Sequence, residues 1–259
     1  MADGFDNPRL SRIAKLARLG MEGRWIAEFA AHHLSQRWLS RLPHGDGHSV
    51  LVFPGFLTSG YSTGPIRRTL TNLGYDVHDW GFGRNLSYSA HLEERMQDKV
   101  EQHFTESGRK VSLVGWSLGG VFAREIARAR PEMVRNVISL GSPITGTKHV
   151  TLAGPIYEFL NGKFDSEVVQ RIAGMRKPLP VPSSVLYSRY DGVVHHHGAL
   201  QEEADNAENI RVPASHLVMG ANPVVLSVIA DRLRQEEDGW SRFEPSKSMA
   251  FLHRKDGLF

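Results

Sequence analysis

Between positions 111 and 129 the chain runs from an apolar stretch, Val111-Ser112-Leu113-Val114, through Gly115-Trp116-Ser117-Leu118-Gly119-Gly120 into a segment with the apolar spacing of a helix. A strand that reverses into a helix within so few residues confines the chain to an α/β unit. The turn is tight enough to force Ser117 into a strained backbone conformation. The residues two before and two after it must then be small, which Gly115 and Gly119 satisfy. Strain of this kind holds the Ser117 hydroxyl above the sheet. The backbone N–H of Leu118, opening the helix, then faces any developing oxyanion. The plainer alternative is a glycine-rich turn carrying an incidental serine.

The flanking sequence repeats the alternation. Strands are predicted over 48–53, 75–80, 110–115, 136–140, 184–190 and 209–212, with helices over 65–73, 90–104 and from Pro223 onward. The pattern predicts an α/β fold: a mostly parallel six-stranded sheet with helices on both faces and reactive groups at the carboxyl ends of the strands. The interval between Gly141 and Pro182 breaks it with two short apolar segments and a proline-rich return. A helical cap over about 146–182 is expected, with Ile156, Phe159 and Leu160 facing an acyl chain or another apolar group. An extra helical layer over the sheet is the alternative.

Residues 1–47 form an N-terminal helical extension ahead of the main domain at 48–259. Trp25, Ile26, Phe29, Leu34, Trp38 and Leu39 continue an apolar stripe begun at Leu10, while Arg9, Arg12, Lys15 and Arg18 line the polar side. Such a stripe is expected to pack on its own domain, to pair with a second copy of the chain, or to lie on an anionic membrane as a peripheral contact. Charge is nearly balanced, 31 basic against 28 acidic residues, which argues against nucleic acid as a partner. The absence of cysteine excludes disulfides, a thiol nucleophile and iron–sulfur sites. No stretch has the apolar length of a membrane span, and the first residues lack the order of a secretory signal, so a cytoplasmic location is expected.

A serine nucleophile needs a base, and the base needs an orienting carboxylate. Asp191 ends the run that begins at Ser184, and His216 follows the run that begins at Asn209, which places acid and base after the serine in chain order. Asp205 is the fallback acid, in a charged and expectedly exposed stretch. His195, His196 and His197 cannot all face one metal from a strand, so they read as a polar loop near the site and no metal is expected. His32, His33, His44 and His48 are expected to be solvated. A second oxyanion donor should come from the Pro54–Gly60 loop, from the amide of Phe56 or else Leu57. In the Gly81–Asn85 turn, Arg84 or Asn85 would orient a head group or brace that loop; alternatively, Asn85 starts the next helix.

Taken together, Pro54-Gly55-Phe56, the Gly115–Gly120 turn, Gly141-Ser142-Pro143, the stretch from Ser188 to Val194 and Ser215-His216 resemble the α/β-hydrolase family, in particular small bacterial lipase-like serine esterases. The resemblance covers roughly 48–235. It implies hydrolysis of a carboxylic ester through an acyl-enzyme, without a cofactor. Ser117 would be the nucleophile, His216 the base and Asp191 its orienting acid, with Phe56 and Leu118 forming the oxyanion hole. Leu57, Trp116, Arg84, Ile156, Phe159 and Leu160 would contact a small ester substrate with an apolar acyl group. Trp116 stands where lipases commonly carry histidine. Thioesterase, acyltransferase and a binding protein with little turnover are the alternatives on the same residues.

Overall fold

The computed structural model describes residues 20, 22–86, 89–145, 174–246, 250 and 253. Its sheet has six strands, β1 (Ser49–Phe53), β2 (Asp76–Asp79), β3 (Val111–Trp116), β4 (Val134–Leu140), β5 (Ser183–Tyr187) and β6 (Ala207–Arg211), in the order β2-β1-β3-β4-β5-β6. Each neighbouring pair is parallel. β1, β3 and β4 are buried along their whole lengths, as expected where helices cover both faces of a parallel sheet.

Side chains alternate between two cores with the period of a strand. Leu51, Phe53, Leu113 and Val137 meet Met96 and Val100 of α4 (Ala90–Ser107) and Phe122 and Ile126 of α5 (Leu118–Ala129). Val50, Val52, Val114, Ile138 and Leu140 turn the other way. They meet Ile66 and Leu70 of α3 (Gly64–Asn72) and Val225, Leu226, Ile229 and Leu233 of α7 (Pro223–Leu233). Each such side chain contributes about 1.5–3 kcal/mol by leaving water.

Side-chain chemistry sets the element ends. Ser89 Oγ caps α4 by accepting the Leu92 amide, and Gly108 ends it in the left-handed conformation at φ +64°. Asn222 Oδ1 accepts the amides of Val224 and Val225 at the start of α7. β5 stops at Tyr187, three residues before its predicted end, because Ser188 Oγ accepts the amides of Tyr190 and Ala214 and turns the chain. Asn85 does not open α4; it belongs to a loop brace described below.

Two histidines expected in solvent are buried. His48 bonds Ser112 Oγ at 2.7 Å, and burial pushes its pKa below the ordinary value. It contacts Asp46, which also holds Arg135 at 2.9 Å and Arg109, so one carboxylate gathers three bases near the amino ends of the strands. His32, on the inner side of the N-terminal segment, has its ring against Gln36. On α5, Arg124 is fully buried. Its guanidinium donates to the carbonyls of Met175 and Lys177 and to Gln201, tying the return from the 141–182 interval to the helix below it. The cap expected over about 146–182, with Ile156, Phe159 and Leu160, lies outside the described residues apart from that return.

The N-terminal segment forms α1 (Trp25–Leu34) and α2 (Gln36–Leu39), and most of its apolar stripe faces outward rather than packing on its own domain, the first of the three expectations. Trp25, Ile26, Phe29, Leu34 and Trp38 are exposed, Leu34 to 87%, whereas Glu22, Glu28, His32 and Leu39 are buried. The reason lies in what the two glutamates touch. α6 (His196–Ala199) completes the labelled helices, and among the described residues no helix is long and apolar enough to cross a membrane.

Candidate active site

Ser117 joins β3 to α5 at φ +54°, ψ −120°, and its amide donates to Leu140 O at 2.8 Å. Few L-residues adopt that backbone conformation, and the glycines around it show what enforces it. A Cβ on Gly115 would stand 2.4 Å from Gly119 O, and one on Gly119 would stand 2.4 Å from Phe53 O. Both are collisions with backbone. Gly120 is a third small residue, because its Cβ would fall 2.0 Å from Ser142 Oγ.

The structure brings Ser117, Asp191 and His216 into one hydrogen-bonded chain. Asp191 Oδ1 accepts the amides of Val193 at 2.9 Å and Val194 at 2.6 Å, which fixes the carboxylate in a turn. Its Oδ2 lies 2.7 Å from His216 Nδ1, and His216 Nε2 lies 3.1 Å from Ser117 Oγ. A carboxylate can only accept, so it selects the Nδ1–H tautomer and leaves Nε2 free to accept from the serine. Asp191 and His216 are both buried. Burial alone would lower the His216 pKa. The charge and hydrogen bond of Asp191, with the charge of Glu22, outweigh it and hold the imidazole above its ordinary value. Gly141, at φ +52°, passes so close that a Cβ there would stand 2.8 Å from Asp191 Oδ2 and 3.2 Å from His216 Nδ1. Asp205, the fallback acid, is exposed.

In the loop after β1, Leu57 takes φ +63° and gives its amide to Asn85 O at 2.7 Å. The Leu57 amide is therefore already committed to Asn85. Gly55 lets the loop approach Ser117, its Cβ position lying 3.3 Å from the serine Cβ. Asn85 is fully buried and braces this loop, donating from Nδ2 to Pro54 O and from its backbone to Thr58 O, each at 2.8 Å. Arg84 is exposed in the adjoining turn, and the Leu57 side chain is half exposed. The Trp116 ring is buried, with its centroid 6.2 Å from that of His216. It lines a cleft of about 640 Å³ together with Phe29, Tyr61, Arg67, Arg68 and Leu217, but Ser117, Asp191 and His216 are not on its walls.

Two functional candidates escaped sequence reasoning. Glu22 Oε1 accepts the amides of Gly192 at 2.7 Å and His216 at 2.9 Å, and its Oε2 accepts that of Leu217 at 2.9 Å. Both oxygens of Glu28 lie 3.1 Å from the Ser215 amide, and Oε2 also accepts Asn222 Nδ2. The only signal in the sequence is a pair of carboxylates among apolar residues of a helical stretch, which ordinarily marks a solvated face. His195, His196 and His197, expected in a polar loop, sit at the start of the short helix α6, with ring centroids 4.2–5.2 Å apart. Elsewhere, Asp76, His78 and His103 place polar atoms within 4.8 Å of one another at β2 and α4, with His78 stacked on His103.

A parallel sheet ordered in this way, with a strained serine turn after β3, defines an α/β hydrolase. More narrowly, the chain belongs to the palmitoyl protein thioesterase family, whose model matches residues 50–185, more than half of its length. It is similar to the pimeloyl-(acyl-carrier protein) methyl ester esterase of Yersinia pestis, 36% identical over 99 residues, which is 38% of this chain and 37% of the relative. The human serine hydrolase BPHL is 32% identical over 108 residues, with the same shares of the two chains. The matched stretch thus covers little more than a third of either relative. Among solved structures, Aspergillus fumigatus lipase B superposes with a TM-score of 0.56 at 16% identity, covering 77% of this chain and 56% of that one. A Bacillus licheniformis lipase gives 0.55 at 16% identity, covering 75% and 95%. These likenesses establish the fold.

Proposed function

We propose that the chain is a serine hydrolase of carboxylic esters, working through an acyl-enzyme. The observation that carries this reading is the chain of hydrogen bonds from Asp191 through His216 to Ser117, ending on a serine held at φ +54°. Ser117 Oγ attacks the ester carbonyl as His216 Nε2 takes its proton, and Asp191 steadies the imidazolium that forms. The amides of Phe56 and Leu118 stabilise the tetrahedral oxyanion. His216 returns the proton to the leaving alcohol, then draws one from water, whose hydroxide attacks the acyl-enzyme; the intermediate collapses as His216 passes that proton to Ser117 Oγ, which frees the acid and restores the serine. No cofactor enters these steps.

The named activities of the Yersinia and human relatives support an ester as substrate, and the family match favours a thioester as the second reading. The same steps serve both, with a thiol leaving in place of the alcohol. The test is hydrolysis of p-nitrophenyl esters from acetate to palmitate, beside an acyl thioester, by wild type and Ser117→Ala. We expect turnover favouring short to medium acyl chains, lowered at least about 10^4-fold by the substitution. Equal trace rates in both proteins would sink the proposal. Faster thioester cleavage would decide for the second reading.

A further inference from the structure

Glu22 and Glu28 have no place in the hydrolytic steps, yet both are buried and aimed at the segment that carries His216. We infer that they are positioning residues for the proposed reaction, holding the acid and base loops together from the N-terminal segment. The inference rests on the reading of Ser117, Asp191 and His216 given above.

Three consecutive amides, those of Ser215, His216 and Leu217, point at the two carboxylates. A fourth, that of Gly192, directly follows Asp191 and shares Glu22 Oε1 with His216. One oxygen therefore links the backbone beside the acid to the backbone of the base, across loops that follow different strands. Buried carboxylates are costly unless hydrogen bonds replace their hydration. Here three of the replacements come from consecutive amides of the His216 segment and a fourth from Gly192 beside the acid, so the two glutamates and these loops order one another. Arg24 approaches Glu28 at 3.5 Å and is half exposed, stacked 4.3 Å over the Tyr190 ring. This arrangement accounts for the inverted face of α1, since its inner side is built to meet amides rather than core.

The charge of Glu22 also acts on the imidazole. Among the described residues, the charged groups facing His216 are Asp191 and Glu22, with Glu28 one residue away and Arg24 beyond it. Both acids favour protonated His216. Replacing Glu22 by glutamine keeps the shape, removes the charge and sets an NH2 group against amides that can only donate.

The experiment compares wild type, Glu22→Gln and Glu28→Gln in p-nitrophenyl ester hydrolysis against pH, with Ser117 labelling by a fluorophosphonate and thermal unfolding alongside. For Glu22→Gln we expect kcat to fall about a hundredfold with KM little changed. Labelling should slow in parallel, and the acid limb of kcat/KM should move to lower pH. A merely structural role would lower the rate without moving that limb. Glu28→Gln, which leaves the Glu22 charge in place, should lower kcat and leave the limb where it was. Wild-type kcat and an unmoved limb in Glu22→Gln would overturn the inference while leaving the hydrolase reading intact. If Glu22→Gln fails to unfold cooperatively, the decision passes to Glu28→Gln, where unchanged kcat and labelling would overturn it. No turnover and no labelling in wild type would bring down both.

Discussion

The serine turn and the N-terminal segment both end on His216, one at its ring and the other at its backbone, but they are specified in opposite ways. The turn is local. The small residues that permit it all lie within six contiguous positions, although some of the atoms a Cβ would strike belong to β1 and to Ser142. The N-terminal segment is specified from far away: Glu22 reaches amides 170 and 195 residues distant. A pattern of small residues therefore reports the turn faithfully. Apolar periodicity reports that 25–34 is helical but misreports which side faces inward. The usual rule assumes that a helix buries carbon, and α1 buries carboxylate oxygens against a loop.

The largest effect should come from the local device. In Gly119→Ala the new methyl would lie 2.4 Å from Phe53 O and 2.7 Å from Pro54 O, neither of which can rotate aside. The start of α5 must back away from β1, separating Ser117 and the Leu118 amide from the Phe56 loop. We expect overpacking to cost about 1–3 kcal/mol of stability and kcat to fall about a hundredfold, read by thermal unfolding and ester hydrolysis. Near-wild-type kinetics would mean that the turn is far softer than these distances imply.

A smaller loss is expected at Asn85, where a distant residue supports a local one. Asn85→Ala removes the donor to Pro54 O and leaves that carbonyl buried without its partner, at a cost of about 1–3 kcal/mol. The backbone bonds to Leu57 and Thr58 remain, so kcat should fall less than in Gly119→Ala while KM stays near wild type. A kcat as low as that of Gly119→Ala would place the loop brace on a par with the turn.

How far the molecule was legible follows the same division. The six strands, their parallel arrangement and the helices beside them were readable because buried parallel strands are apolar runs and each turn carries glycine, proline or a cap. That Ser117, Asp191 and His216 come together was readable because the α/β-hydrolase pattern sets such residues, in that chain order, in the loops after successive strands. Legibility stopped where a polar side chain serves another backbone. Asn85 could be read as a loop brace or as a helix start, His48 looked solvated, and Glu22 drew no reading at all. Each is buried because it satisfies a group that no local pattern reveals.

The pH dependence tests the electrostatic side of the contrast. His216 must be neutral to accept the serine proton, and its pKa is raised above the ordinary 6.5. The kcat/KM of the wild type should therefore fall as pH drops, with its midpoint above 6.5 rather than at it. A midpoint at or below 6.5 in a pH–rate profile would show that burial outweighs the two acids, and that the N-terminal carboxylate adds little to the base.

The smallest effect belongs to the outward face of α1. Ile26 and Leu34 are 64% and 87% exposed, so replacing both with serine removes almost no buried carbon. If the helix is held by its carboxylates, the double variant should unfold within about 0.5 kcal/mol of wild type and hydrolyse esters at the same rate. Sedimentation of both proteins sharpens the test. A wild-type dimer that becomes monomeric in the variant, with a stability loss beyond about 1 kcal/mol, would mean that α1 buries both of its sides, one against the His216 segment and the other against a second copy. The apolar periodicity would then have identified an interface of the assembly, and its disagreement with the single chain would come from looking for the partner within one molecule.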